Sequence, residues 1–129
     1  MAIKVLIAED EEGVLEIMAR TISKQGYEVV MAHDGLQAWE KIVSDDPDVV
    51  ILDINMPKMD GWSVLYKLRA EPPMNKWRPV IIVSAQGEME NVQKGLDLEA
   101  DHYLTKPCRI EDVVRAIRLM VSLIPMRNQ

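Results

Sequence analysis

The stretch Val49-Val50-Ile51-Leu52-Asp53-Ile54-Asn55-Met56-Pro57 places a carboxylate where an unbroken apolar run gives way to a loop. Successive β-branched residues without polar alternation fit a strand buried on both faces. Such strands belong to a parallel sheet covered by helices on each side. A carboxylate at the end of such a strand is costly without a partner, which makes Asp53 a candidate reactive group. Two other apolar runs also end in charge: Val5-Leu6-Ile7-Ala8 delivers Glu9-Asp10-Glu11-Glu12, and Tyr103-Leu104-Thr105 leads to Lys106-Pro107. As neighbouring parallel strands, these runs would gather three carboxylates and one ammonium at one sheet edge.

Outward from Asp53, short apolar runs alternate with amphipathic segments. The pattern predicts strands over Lys4–Ala8, Tyr27–Ala32, Val49–Leu52, Val80–Val83 and His102–Leu104. Helices are predicted over Val14–Gln25, Leu36–Ser44, Trp62–Ala70, Glu88–Leu96 and Ile110–Leu123, with Gly26, Gly35, Pro47, Gly61 and Pro79 near the boundaries. Five strand-helix pairs predict a doubly wound α/β fold: a five-stranded parallel sheet with helices on both faces. A length of 129 residues fits one domain, residues 1–129. In that class ligands bind beyond the carboxyl ends of the strands, where Glu9, Asp10, Asp53, Ser84 and Lys106 fall.

Composition narrows the function. An apolar fraction of 48% and a charged fraction of 28% are ordinary for a globular protein. No stretch reaches the ~20 apolar residues that span a bilayer. The first residues run directly into a strand with no export signal, and the expectation is a cytoplasmic protein. A net charge of −6 argues against direct nucleic-acid binding, which draws on Lys and Arg to neutralise phosphates. Cys108 is the single cysteine, which rules out an intramolecular disulfide. It stands near a helix N-terminus, where a thiol pKa can fall, but reads more simply as packing. The nine Met residues fill gaps in a core that has no Phe. His33 and His102 lack metal-ligand spacing and read as structural.

No glycine-rich phosphate loop is present, so what remains is an acidic pocket. Two carboxylates at ~5 Å and an effective dielectric of ~20 repel by about 3 kcal/mol, which a hard divalent cation offsets. Mg²⁺ suits a site with few protein carboxylates, several waters and phosphate oxygens. Lys106 adds a point charge suited to a phosphoryl oxygen. Carboxylate nucleophile, metal, ammonium and hydroxyl together describe phosphoryl transfer onto Asp.

With Glu9-Asp10, Asp53-Ile54-Asn55-Met56-Pro57-Lys58-Met59-Asp60-Gly61, Val83-Ser84-Ala85 and Tyr103-Leu104-Thr105-Lys106-Pro107 in this order, the chain resembles the receiver domains of two-component response regulators from Lys4 to about Leu123. The resemblance implies the flavodoxin-like receiver fold. It also implies phosphorylation of Asp53 by a histidine kinase or phosphotransfer protein, with Mg²⁺ as cofactor. Asp10 and Asp53 would bind Mg²⁺ through side chains, Asn55 through its backbone carbonyl and Glu9 through water. Ser84 and Lys106 would contact the phosphoryl group. Tyr103 would change rotamer with the switch, although packing explains a strand aromatic equally well. Ser84 can also be read as a helix cap. Two departures from the family pattern stand out. Glu9 replaces the more usual Asp, and Leu98-Glu99-Ala100-Asp101 lacks the Gly often found in that turn. The Pro-rich stretch Glu71–Pro79 is expected to be a rigid, exposed loop away from the site.

On the last helix, Glu111, Arg115, Arg118 and Ser122 form a polar stripe opposite Ile110, Val113, Val114, Ile117, Val121 and Ile124. Ala116, Leu119, Met120 and Leu123 widen the apolar face, so the Ile110–Leu123 helix is a candidate surface for a homodimer or an effector. The expectation is a phosphorylation-controlled switch, not an enzyme in the turnover sense. It would be either a stand-alone regulator or the receiver of a longer DNA-binding or enzymatic one. A Mg²⁺-dependent phosphohydrolase is the rival. Against it, no second Asp stands two residues after Asp53 to serve as general acid.

Overall fold

The computed structural model describes residues 2–85 and 99–127. In chain order the elements are β1 (Lys4–Ala8), α1 (Glu12–Lys24), β2 (Glu28–Ala32), α2 (Gly35–Asp45), β3 (Val49–Asp53), α3 (Gly61–Ala70), β4 (Val80–Ala85), β5 (His102–Lys106) and α4 (Ile110–Arg127). A short 3₁₀ turn covers Pro73–Asn75. The five strands form one parallel sheet in the order β2-β1-β3-β4-β5. The chain runs from β1 to β2 at one edge, then crosses to β3 on the other side of β1 and on toward β5, so the strand order reverses between β1 and β3. Parallel doubly wound sheets place their ligand crevice there, at the carboxyl ends of the strands. The α/β expectation holds. The predicted helix Glu88–Leu96 lies outside the described residues.

Alternation along the strands divides the interior into two layers. Leu6, Val50, Leu52 and Ile82 meet Ala38 and Ile42 of α2 and Val64, Leu65 and Leu68 of α3 on one face. Val5, Ile7, Ile51 and Ile81 meet Leu15 and Ile22 of α1 and Val113, Ile117 and Met120 of α4 on the other. Every residue of β3 is buried, as its unbroken apolar run requires. At roughly 1.5–3 kcal/mol for each fully buried aliphatic side chain, these layers hold the strand ends in place.

Caps set several boundaries that periodicity misses. Asp34 accepts a hydrogen bond from Gln37 N at 2.7 Å and Asp60 one from Ser63 N at 2.8 Å, so α2 and α3 start one residue before the apolar pattern. α4 runs to Arg127, past the expected end at Leu123, with Pro125 inside it. A Pro in the final turn has little helix downstream to disrupt. Glu99 takes φ +62°, so the turn before β5 keeps a left-handed residue without glycine.

The Glu71–Pro79 loop corrects the expectation of a simple exposed segment. Arg78 is 1% exposed. Its guanidinium donates to Pro47 O at 2.8 Å, Pro73 O at 3.0 Å and Lys76 O at 3.3 Å, and pairs with Asp46. The loop is therefore strapped to the amino-terminal end of the sheet, opposite the site. Among the described residues, no helix is long and apolar enough to cross a membrane.

Candidate functional site

Four strand ends contribute to one site. β1 ends at Ala8 and presents Glu9, whose amide donates to Ala32 O at 3.1 Å. β3 ends at Asp53, level with Val83 on β4, and β4 continues so that Ser84 pairs with Thr105 and Ala85 with Lys106. Ser84 and Lys106 thus belong to strands longer than their apolar runs suggest. Hydrogen bonds between neighbouring backbones fix both positions.

Lys106 Nζ lies 2.6 Å from Asp53 Oδ2 and 3.2 Å from Glu9 Oε1. Asp53 Oδ1 accepts from Asn55 N at 3.2 Å. Carboxylate oxygens of Glu9, Asp10 and Asp53 all lie within 4.8 Å of one another, with Glu9 and Asp53 buried and Asp10 exposed. Ser84 is buried, and its Oγ shares a hydrogen bond with Tyr103 OH. Tyr103 therefore does more than pack, because its hydroxyl is tied to Ser84. The Asn55 side chain is exposed, leaving its backbone as the part nearest Asp53.

The electrostatics reflect crowding. Burial pushes the Glu9 carboxyl up to about 8, the neighbouring Asp53 adds to the rise, and Lys106 opposes it. Burial works against the Lys106 ammonium, but Asp53 and Glu9 together hold its pKa above the ordinary lysine value. Glu9 Oε2 is buried without a hydrogen-bond partner. An unsatisfied buried carboxylate oxygen beside two further carboxylates is a donor set that fits a hard divalent cation. Burial raises the Cys108 thiol, with Asp112 adding to the rise, which supports packing over reactivity.

Two features of the site depend on contacts that the sequence alone does not show. A cavity of about 550 Å³ opens beside Asp53 between α1 and α4, with Val14, Ile17, Met18, Ile110 and Val113 among its walls. Gly61 is the second. A Cβ there would meet Asp53 O at 2.4 Å, so only glycine lets α3 start against the backbone of Asp53. The repeated Gly at helix starts, Gly35 and Gly61, was the available signal.

The last helix needs a correction. Ala116 and Met120 are core residues, packed with Val113 and Ile117, and do not extend an outer flank. Leu119 is 53% exposed and Leu123 is half-buried.

The chain is similar to known proteins in sequence and fold. The family model for the response regulator receiver domain matches residues 5–118. Response regulator MprA of Mycobacterium ulcerans is 36% identical over 121 residues, covering 94% of this chain and 51% of that protein. MprA of Mycobacterium avium is 35% identical over 118 residues, covering 92% and 50%. The chain spans about half the length of the curated relatives it matches. Among solved structures, the receiver domain of the Francisella response regulator 1452 is similar, with a TM-score of 0.84 and 34% identity, over 92% of this chain and 96% of that one. A CheY-like receiver domain protein from Methanospirillum hungatei has a TM-score of 0.89 at 24% identity, over 99% and 100%, and speaks to the fold alone. With its five parallel strands and the family match across residues 5–118, the chain belongs to the response regulator receiver domains, signalling switches of two-component systems.

Proposed function

We propose that the chain is one receiver unit over residues 1–129 whose Asp53 accepts a phosphoryl group from a histidine kinase or phosphotransfer protein. The observation that carries this reading is the shared ammonium: Lys106 holds Asp53 and Glu9 together at the carboxyl edge of the sheet, with Asp10 beside them. An Asp53 oxygen attacks phosphorus, the nitrogen–phosphorus bond of the donor breaks, and its electron pair leaves with the imidazole. Lys106 and the Ser84 hydroxyl then meet phosphoryl oxygens. Asp10 and Asp53 would hold Mg²⁺ by side chains, Asn55 by its carbonyl and Glu9 through water. Mg²⁺ supplies charge neutralisation for the incoming phosphoryl oxygens.

The hydrogen bond between Ser84 and Tyr103 supports a switch. A phosphoryl oxygen that engages Ser84 changes what the tyrosine hydroxyl can bond, which biases β5 and the segment leading to α4. The exposed Leu119 supports a role for α4 in association with a second receiver or an effector. Output lies with an effector protein or a further domain, and the chain makes no direct nucleic-acid contact. We place it in the cytoplasm, where kinase catalytic domains act. Mg²⁺-dependent labelling by acetyl phosphate tests the reading: the parent labels and Asp53→Asn does not. Equal labelling of both would reject Asp53 as the acceptor.

A further inference from the structure

Gly35 opens α2 where that helix touches the loop after Asp53. A Cβ on Gly35 would lie 1.7 Å from the carbonyl oxygen of Met59, 2.5 Å from its carbonyl carbon and 2.8 Å from its Cβ. Two of these atoms are backbone, so no rotamer change relieves the overlap. Helix and loop would have to part by roughly 1–2 Å to restore ordinary contact.

The corner that carries Gly35 is anchored on both sides. At the end of β2, Ala32 O accepts the amide of Glu9 at 3.1 Å. Beyond it, Asp34 caps α2 through Gln37 N at 2.7 Å and faces Lys58 Nζ at 3.7 Å. The loop on the far side is tightly wound: Met56 N donates to Ile54 O at 3.2 Å, Met59 N to Pro57 O at 2.7 Å and Gly61 N to Ile54 O at 2.9 Å. Two of these bonds end on Ile54, the residue between Asp53 and Asn55, and the third holds Met59 within the same loop.

We propose that the corner from Ala32 to Gly35 is a brace that sets the spacing between the two halves of the cation site, Glu9-Asp10 and Asp53-Asn55, with Gly35 as its positioning residue acting through Met59. The inference rests on the reading of those residues as a Mg²⁺ site. Mg²⁺ demands near-ideal octahedral geometry, so a brace of this kind governs its affinity. Disturbing residues that orient metal ligands costs about 10–100-fold in affinity.

The test is calorimetric Mg²⁺ titration of the whole chain as parent, Gly35→Ala, Asp34→Ala and Gly13→Ala, with circular dichroism and urea melts in EDTA to separate folding from binding. Gly13→Ala makes the same chemical change at a helical glycine with nothing within 4 Å, and its Kd should match the parent. Gly35→Ala should raise the Kd at least about tenfold. Asp34→Ala, which adds no atoms and loosens the same corner, should raise it by a smaller factor. A folded Gly35→Ala that binds Mg²⁺ like the parent overturns the brace; if that variant does not fold, unchanged binding by Asp34→Ala overturns it. If the parent does not bind Mg²⁺, or Asp10→Ala binds it unchanged, the reading of the site falls and the brace with it.

Discussion

Lys106 Nζ bridges Asp53 Oδ2 at 2.6 Å and Glu9 Oε1 at 3.2 Å, so a single ammonium touches two buried acidic side chains. Breaking a fully buried ion pair costs about 3–5 kcal/mol, but the Lys106 side chain is 37% exposed and water takes over part of its work. Lys106→Met is therefore expected to lower stability by about 1–2 kcal/mol in EDTA at neutral pH. Saturating Mg²⁺ should narrow the difference, because a cation relieves the same repulsion. Urea melts of both proteins with and without Mg²⁺ check this, and a gap that Mg²⁺ leaves unchanged would speak against a shared site.

Mg²⁺ should stabilise the folded chain by mass action, by about 2.7 kcal/mol at one hundred times its Kd. Asp10 is the exposed member of the carboxylate cluster. We expect Asp10→Ala to fold normally and to lose the Mg²⁺-dependent rise in Tm. A variant whose Tm climbs with Mg²⁺ as the parent's does would remove Asp10 from the site.

At the opposite end of the sheet, Asp46 gives an acid-side prediction. Burial works to raise its carboxyl, but hydrogen bonds from Arg78 and Lys76 outweigh burial and hold the pKa below the ordinary 3.8. A depressed carboxyl stabilises the fold above its unfolded pKa, and that contribution is lost as pH falls through the folded value. The stability gap between the parent and Asp46→Asn should therefore be constant near neutrality and shrink below about pH 4. A gap that persists into strong acid would show that the pair contributes through shape and not charge.

These residues also show where a sequence can be read directly. Val49–Leu52 is legible because a strand buried on both faces must be apolar throughout; the charge of Asp53 marks its end, and the structure carries the strand through that residue. Ser84, Thr105 and Lys106 were expected beyond their strands because periodicity registers side chains and not backbone pairing. Arg78 was missed because nothing local marks a guanidinium whose acceptors, Pro47 and Asp46, come from a distant loop. A helical wheel puts Ala116 and Met120 on an outer flank because it shows a face but not what covers it. The site was legible as strand-end chemistry. Its spacing was not, since the contacts of Gly35 and Gly61 exist only in three dimensions.

Leu119 is the exposed apolar residue of α4 suited to association. With beryllofluoride standing in for the phosphoryl group, we expect sedimentation to show more self-association or effector binding than without it. Leu119→Glu should reduce that increase and leave labelling of the chain intact. Association unchanged by the substitution would reject this surface.

The central claim is that phosphoryl transfer ends on Asp53. An acyl phosphate can be trapped by borohydride reduction and located by peptide mass spectrometry after Mg²⁺-dependent reaction with acetyl phosphate. The account predicts one modification per chain, on the peptide carrying Asp53 and at that residue. Modification at Glu9 or Asp10 with Asp53 untouched, or labelling that persists in EDTA, would contradict it.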